Sequence, residues 1–76
     1  MKKLFTGDDC PNCAVAKQYI SDNAITDIEI VHIDPTERSG RDLQMQYRVM
    51  GVPTLITFDG EVEVSRQVGV IDFTKI

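Results

Sequence analysis

The sequence predicts an α/β fold: a four-stranded mixed sheet with flanking helices, in the order βαβαββα. Three observations point there. Short apolar runs alternate with segments of helical periodicity over the first fifty residues, the pattern of a βαβ unit with parallel strands and a right-handed crossover. Asp59-Gly60 then lies between two β-rich runs, which marks a hairpin and adds antiparallel strands. The 76 residues make one domain, 1–76, with an expected radius of gyration of roughly 11 Å.

Lys3 to Thr6 reads as a buried strand that runs into the polar turn Gly7, Asp8, Asp9. The first helix opens at Cys10, its expected N-cap, with Pro11 at the first helical position, where a missing N–H costs nothing. Ala16, Tyr19, Ile20 and Asn23 follow helical spacing. Ile28, Ile30, Val31 and Ile33 form a second strand, stopped by Asp34-Pro35. Ser39 and Asp42 resemble a weak capping box, and Leu43, Tyr47 and Met50 give an amphipathic helix ending before Gly51. Thr54–Phe58 and Glu61–Ser65 are the hairpin strands, joined by a type I′ turn, with Val62 and Val64 expected in the core. Ile71 to Ile76 allow a short closing helix that packs Ile71, Phe73 or Ile76 on the sheet. Tyr19 and Tyr47 sit at core spacing, and His32, the single histidine, reads as a sheet residue.

Cys10-Pro11-Asn12-Cys13 is the chemically distinctive stretch, and it holds both cysteines of the chain. A pair at this spacing can cycle between dithiol and disulfide, supply half of a metal site, or simply pack. The N-cap position favours the first, because free backbone N–H groups and the helix dipole stabilise a thiolate at Cys10. Cys13 lies one turn on, on the same face. The expected reaction is attack of the Cys10 thiolate on a partner disulfide, followed by resolution by Cys13. A loop of this length contributes little chain-entropy stabilisation, so a structural staple is disfavoured. The competing class is a binding module that holds zinc or an iron–sulfur cluster between chains through the same cysteines, since a complete site needs four ligands.

The net charge of −4 and the lack of a basic cluster argue against nucleic acid as partner. Lys2 and Lys3 are not followed by the apolar stretch of a signal peptide, and no run approaches a membrane span. A cytoplasmic, monomeric protein with no membrane partner is expected.

The element order, with Cys-x-x-Cys at the first strand-to-helix junction, resembles the thioredoxin superfamily in its minimal form, the glutaredoxins. Cys10-Pro11-Asn12-Cys13 is similar to the glutaredoxin Cys-Pro-Tyr-Cys, and Gln46 to Leu55, containing Gly51-Val52-Pro53-Thr54, looks like the thioredoxin segment leading to its cis-proline. The resemblance implies a minimal thioredoxin fold, a cis Val52–Pro53 bond, and substrate contacts from Asn12, Val52 and Pro53. Where glutaredoxins carry a Gly-Gly and acidic pair for glutathione, this chain offers Gly69 and Asp72. It further implies a protein-disulfide reductase with no tightly bound cofactor, drawing electrons from glutathione or from a thioredoxin-reductase-type flavoprotein. The implied partners are disulfide-containing proteins, ribonucleotide reductase among them.

Overall fold

The computed structural model describes residues 1–75. Its elements are β1 (Lys2–Thr6), α1 (Pro11–Asp22), β2 (Ile28–His32), α2 (Arg38–Tyr47), β3 (Thr54–Asp59), β4 (Val62–Val68) and a closing 3-10 turn, Phe73–Lys75. The strands form one sheet in the order β2-β1-β3-β4. β1 pairs parallel with β2 and antiparallel with β3, and β3 pairs antiparallel with β4. The radius of gyration is 11.8 Å.

Strand alternation divides the core between the two faces of the sheet. Leu4 and Leu55 pack with Ala16 and Ile20 of α1 and with Ile28, while their neighbours Phe5 and Ile56 pack with Ile33, Val49 and Tyr47 on the α2 side. One helix thus covers each face. Phe73 joins the α1 side, where its ring stacks on Tyr19 at 4.4 Å between centroids. Tyr47 packs on Phe5 and Phe58, as its spacing predicted.

Several local expectations are corrected. Val62 and Val64 are 65% and 58% exposed, outside the core. Regular pairing would place Val64 opposite Phe58 on the α2 face, but the register shifts between Thr57 and Phe58. Glu63 takes that place and Val64 becomes the extra residue of a bulge on the edge strand. The turn is Gly60-Glu61, because Asp59 stays in the ladder opposite Val62. Gly60 has φ +63° and Glu61 no positive φ, the pattern of a type II′ turn and not type I′.

α2 starts without a side-chain cap, Glu37 standing at its N-cap, so Ser39 and Asp42 form no capping box. The chain is turned instead by Asp34, whose Oδ1 accepts from the Thr36 N–H (2.9 Å) and hydroxyl (2.6 Å). α2 ends at Tyr47 with Arg48 in the left-handed region at φ 55°. That reversal turns Val49 into the core and leaves Met50 94% exposed, against the helical spacing that favoured Met50. The closing segment makes a 3-10 turn in place of an α-helix. Ile71 and Phe73 pack there as expected, and Ile76 lies outside the described residues.

Candidate redox site

β1 delivers the chain to the site at Thr6, and the turn that follows bends at Asp9, which has φ +50°. Cys10 is the N-cap of α1 with extended backbone (φ −124°, ψ 97°), and Pro11 opens the first turn. The Cys10 Sγ accepts the Cys13 N–H at 3.1 Å, so the sulfur does what a Ser or Asp oxygen does at other N-caps. Cys10 and Cys13 are joined as a disulfide across 5.2 Å between Cα atoms. They differ in access. Cys13 is fully buried, while Cys10 is partly exposed, so of the two only Cys10 is open to solvent.

A second loop meets the first. The Val52–Pro53 peptide is cis, and Pro53 is buried. A β-carbon at Gly7 would stand 3.2 Å from Val52 Cγ2, so the two loops are in close packing. The Thr54 hydroxyl donates to the Gly51 carbonyl at 2.6 Å, tying the loop back on itself. The Gly69 N–H donates to the Pro53 carbonyl at 2.9 Å, which brings the end of β4 to the same place. A cleft of about 360 Å³ runs along this junction, lined by Gly7, Asp8, Asp9, Asp34, Gly51 and Val52.

The remaining residues singled out in the sequence are more scattered. Asn12 is exposed on the first turn of α1. Asp72 is exposed, and its Oδ1 accepts from the Thr74 N–H (3.0 Å) and hydroxyl (2.6 Å), opening the 3-10 turn. Those bonds hold its carboxyl below the usual carboxylate range. His32 ends β2, where its Nε2 lies 3.1 Å from Asp8 Oδ1. Among the described residues no cluster of three or more His, Cys, Asp or Glu side chains is arranged to hold a metal ion. No helix there is long and apolar enough to cross a membrane.

Two residues escaped the sequence reading. Thr54 reads in the sequence as a strand start and as part of the cis-proline stretch; its hydroxyl, directly after a proline at the mouth of a loop, is the signal for the further role. Thr6 is fully buried, and its place two residues beyond Leu4 in an alternating strand already assigned it an inward position.

No family model matches the chain. A thioredoxin of Methanocaldococcus jannaschii is 34% identical over 64 residues, which cover 80% of this chain and 72% of that protein. The chain belongs to the thioredoxin family. Thioredoxin structures agree with it across nearly its whole length. Thioredoxin O2 of Arabidopsis thaliana in the oxidised state superposes with a TM-score of 0.71 at 26% identity, covering 97% of this chain and 65% of that one. Thioredoxin 1 of Thermosipho africanus gives 0.68 at 26% identity, over 97% of this chain and 82% of the other. A thioredoxin variant of Halobacterium salinarum gives 0.70 at 32% identity, over 93% and 62%. The chain spans just under two thirds of the Arabidopsis and Halobacterium thioredoxins. In this thioredoxin-family member the joined pair Cys10–Cys13 fits a redox dithiol.

Proposed function

We propose that this chain is a thiol–disulfide oxidoreductase that reduces protein disulfides and is itself reduced by a thioredoxin-reductase-type flavoprotein. The observation that carries the reading is the unequal exposure of a joined pair at a helix N-terminus: Cys10 open and Cys13 closed. In the dithiol form the Cys10 thiolate attacks one sulfur of a substrate disulfide. The substrate S–S bond breaks, a mixed disulfide forms, and the departing substrate sulfur takes up a proton. The Cys13 sulfur, after losing its proton, then attacks Cys10 Sγ and expels the second substrate thiol. Two electrons and two protons have passed to the substrate, and Cys10–Cys13 is a disulfide again. Val52, beside cis-Pro53, offers its backbone to the substrate chain as that chain lies in the cleft, and Asn12, exposed on the first turn of α1, is the further contact.

Glutathione is the second donor considered, since Gly69 is bonded to Pro53 next to the site. The Asp72 carboxylate accepts from Thr74 through Oδ1 alone, which leaves Oδ2 open to a glutathione amine. The flavoprotein is the donor proposed because the relative that shows the family is named a thioredoxin. NADPH oxidation with a small disulfide substrate separates the donors, with thioredoxin reductase in one arm and glutathione plus glutathione reductase in the other. Turnover in the first arm alone, abolished by Cys10→Ser, is the expected result. Turnover in the second arm alone would assign the donor to glutathione and give Gly69 and Asp72 ligand roles. Cys13→Ser is expected to accumulate the mixed disulfide, detectable by mass; retained dithiol turnover in that variant would overturn the assigned roles.

A further inference from the structure

Thr6 Oγ1 is the one buried side-chain polar atom without a hydrogen-bond partner among the described residues, and Thr6 is fully shut off from solvent. Buried hydroxyls are nearly always paired, because an O–H withdrawn from water loses a bond that nothing replaces. An orphan held at the end of a strand beside a reactive pair calls for a partner that appears in another state of the molecule.

Its position in the strand narrows the choice. β1 alternates faces, so Leu4 enters the cluster under α1 and Phe5 the opposite one. Thr6 therefore lies on the α1 side, at the C-terminal end of β1. The inward residues of α1 are Cys13, Ala16 and Ile20, with Cys13 nearest the helix N-terminus. Ala16 and Ile20 pack with Leu4. The chain returns from Thr6 into α1 through three turn residues and the Cys10 cap, so Thr6 and Cys13 occupy the same end of the same interface. Both are fully buried there.

We propose that Thr6 is a positioning residue for the redox step: its hydroxyl donates a hydrogen bond to the Cys13 sulfur once the disulfide is open. Sulfur in a disulfide is a poor acceptor, whereas a thiolate is a strong one. The bond forms in the reduced protein as Cys13 loses its proton, and is missing in the oxidised form. It holds the Cys13 thiolate ready for its attack on Cys10 Sγ and transfers no proton itself. The role rests on the dithiol reading of the pair.

The test is a thermodynamic comparison of Thr6→Val, which keeps the shape and removes the donor, with Thr6→Ser, which keeps the donor. Each protein is equilibrated with dithiothreitol above the pH at which the resolving step is half-maximal, where Cys13 is ionised; the reagent gives two electrons to Cys10–Cys13 and becomes a cyclic disulfide. Thr6→Val is expected to shift this equilibrium about tenfold toward the protein disulfide, about 30 mV for a two-electron couple. Its oxidised form should unfold at the wild-type denaturant concentration or higher, and its reduced form at a lower one. The pH at which the resolving step is half-maximal should rise. Thr6→Ser should keep the wild-type equilibrium and resolving pH, and lower the unfolding midpoint of both redox forms alike for its lost methyl. If Thr6→Val does not fold, Thr6→Ala against Thr6→Ser isolates the same hydroxyl. Equal destabilisation of both redox forms of Thr6→Val, with an unmoved equilibrium, would overturn the role and leave Thr6 as packing alone. Wild-type protein that does not exchange with dithiothreitol would overturn the dithiol reading itself, and this role with it.

Discussion

At the scale of single residues, Arg66 shows how one side chain joins distant parts of a small fold. Its Nε and Nη2 donate to the two Glu63 carboxylate oxygens at 2.7 and 2.6 Å. The same guanidinium donates to the Tyr47 carbonyl at 2.9 Å and the Arg48 carbonyl at 3.0 Å. Those carbonyls close α2, where helix geometry supplies no partner. Arg66 holds the Glu63 carboxyl below its ordinary range, and Glu63 raises the Arg66 pKa in turn. The ion pair is partly exposed and therefore weak in itself. The carbonyl contacts matter more. Arg66→Ala should cost about 1–2 kcal/mol in urea unfolding, and Glu63→Gln distinctly less. Equal losses would show that the ion pair, not the helix end, is what Arg66 serves. Sequence spacing hid this contact. Residues three apart in a regular strand point to opposite faces, and only the bulge at Val64 brings Glu63 and Arg66 to one side.

At the scale of elements, α2 is placed by a glycine. Gly40 is buried inside the helix, and a β-carbon there would overlap the Asp34 carbonyl oxygen and stand 2.7 Å from the Asp34 carbonyl carbon. Backbone lies against backbone. Alanine is the better helix former by about 1 kcal/mol, which would make Gly40→Ala stabilising on an open helix. Here the overlap should win and leave the variant about 1–3 kcal/mol less stable, the usual cost of overpacking. Chemical unfolding decides it, and a raised midpoint would mean that α2 can shift away from the β2–α2 loop. Because that loop also lines the cleft through Asp34, the same displacement should weaken substrate reduction. Helical periodicity located α2 but could not show why a glycine stands in it; the reason is a neighbour six residues away in sequence and in contact only after folding.

For the molecule as a whole, pH is the most direct probe. Asp27, Asp34, Glu63 and Asp72 each have a carboxyl held below its ordinary value, by hydrogen bonds from Lys2, Thr36, Arg66 and Thr74 respectively. A folded-state pKa below the unfolded value contributes stability that is full above the unfolded pKa and is lost as pH falls through the folded one. The melting temperature should therefore hold level from pH 7 to about 5 and fall progressively below about pH 4, the ordinary carboxylate range. A melting temperature that rises on acidification below pH 4 would contradict this, and would mean that repulsion within a chain of net charge −4 outweighs the four anchored carboxylates.

The sequence by itself determined the order of elements, the place of the redox pair and the cap at Cys10. Each of these depends on local chemistry: hydrophobic period, proline at a first helical turn, and a sulfur where N–H groups are free. It also pointed to Pro53 through motif likeness. Only the tertiary structure decided which valines of β4 reach the core, where α2 ends, and that Gly7, Val52 and Gly69 converge on one junction. Those outcomes depend on register and close approach between segments far apart in the chain, and a one-residue slip in pairing exchanges the two faces of a strand. Thr6 belongs to both. Alternation from Leu4 turned it inward, but its lack of a partner appears only when α1 closes over the sheet and excludes water.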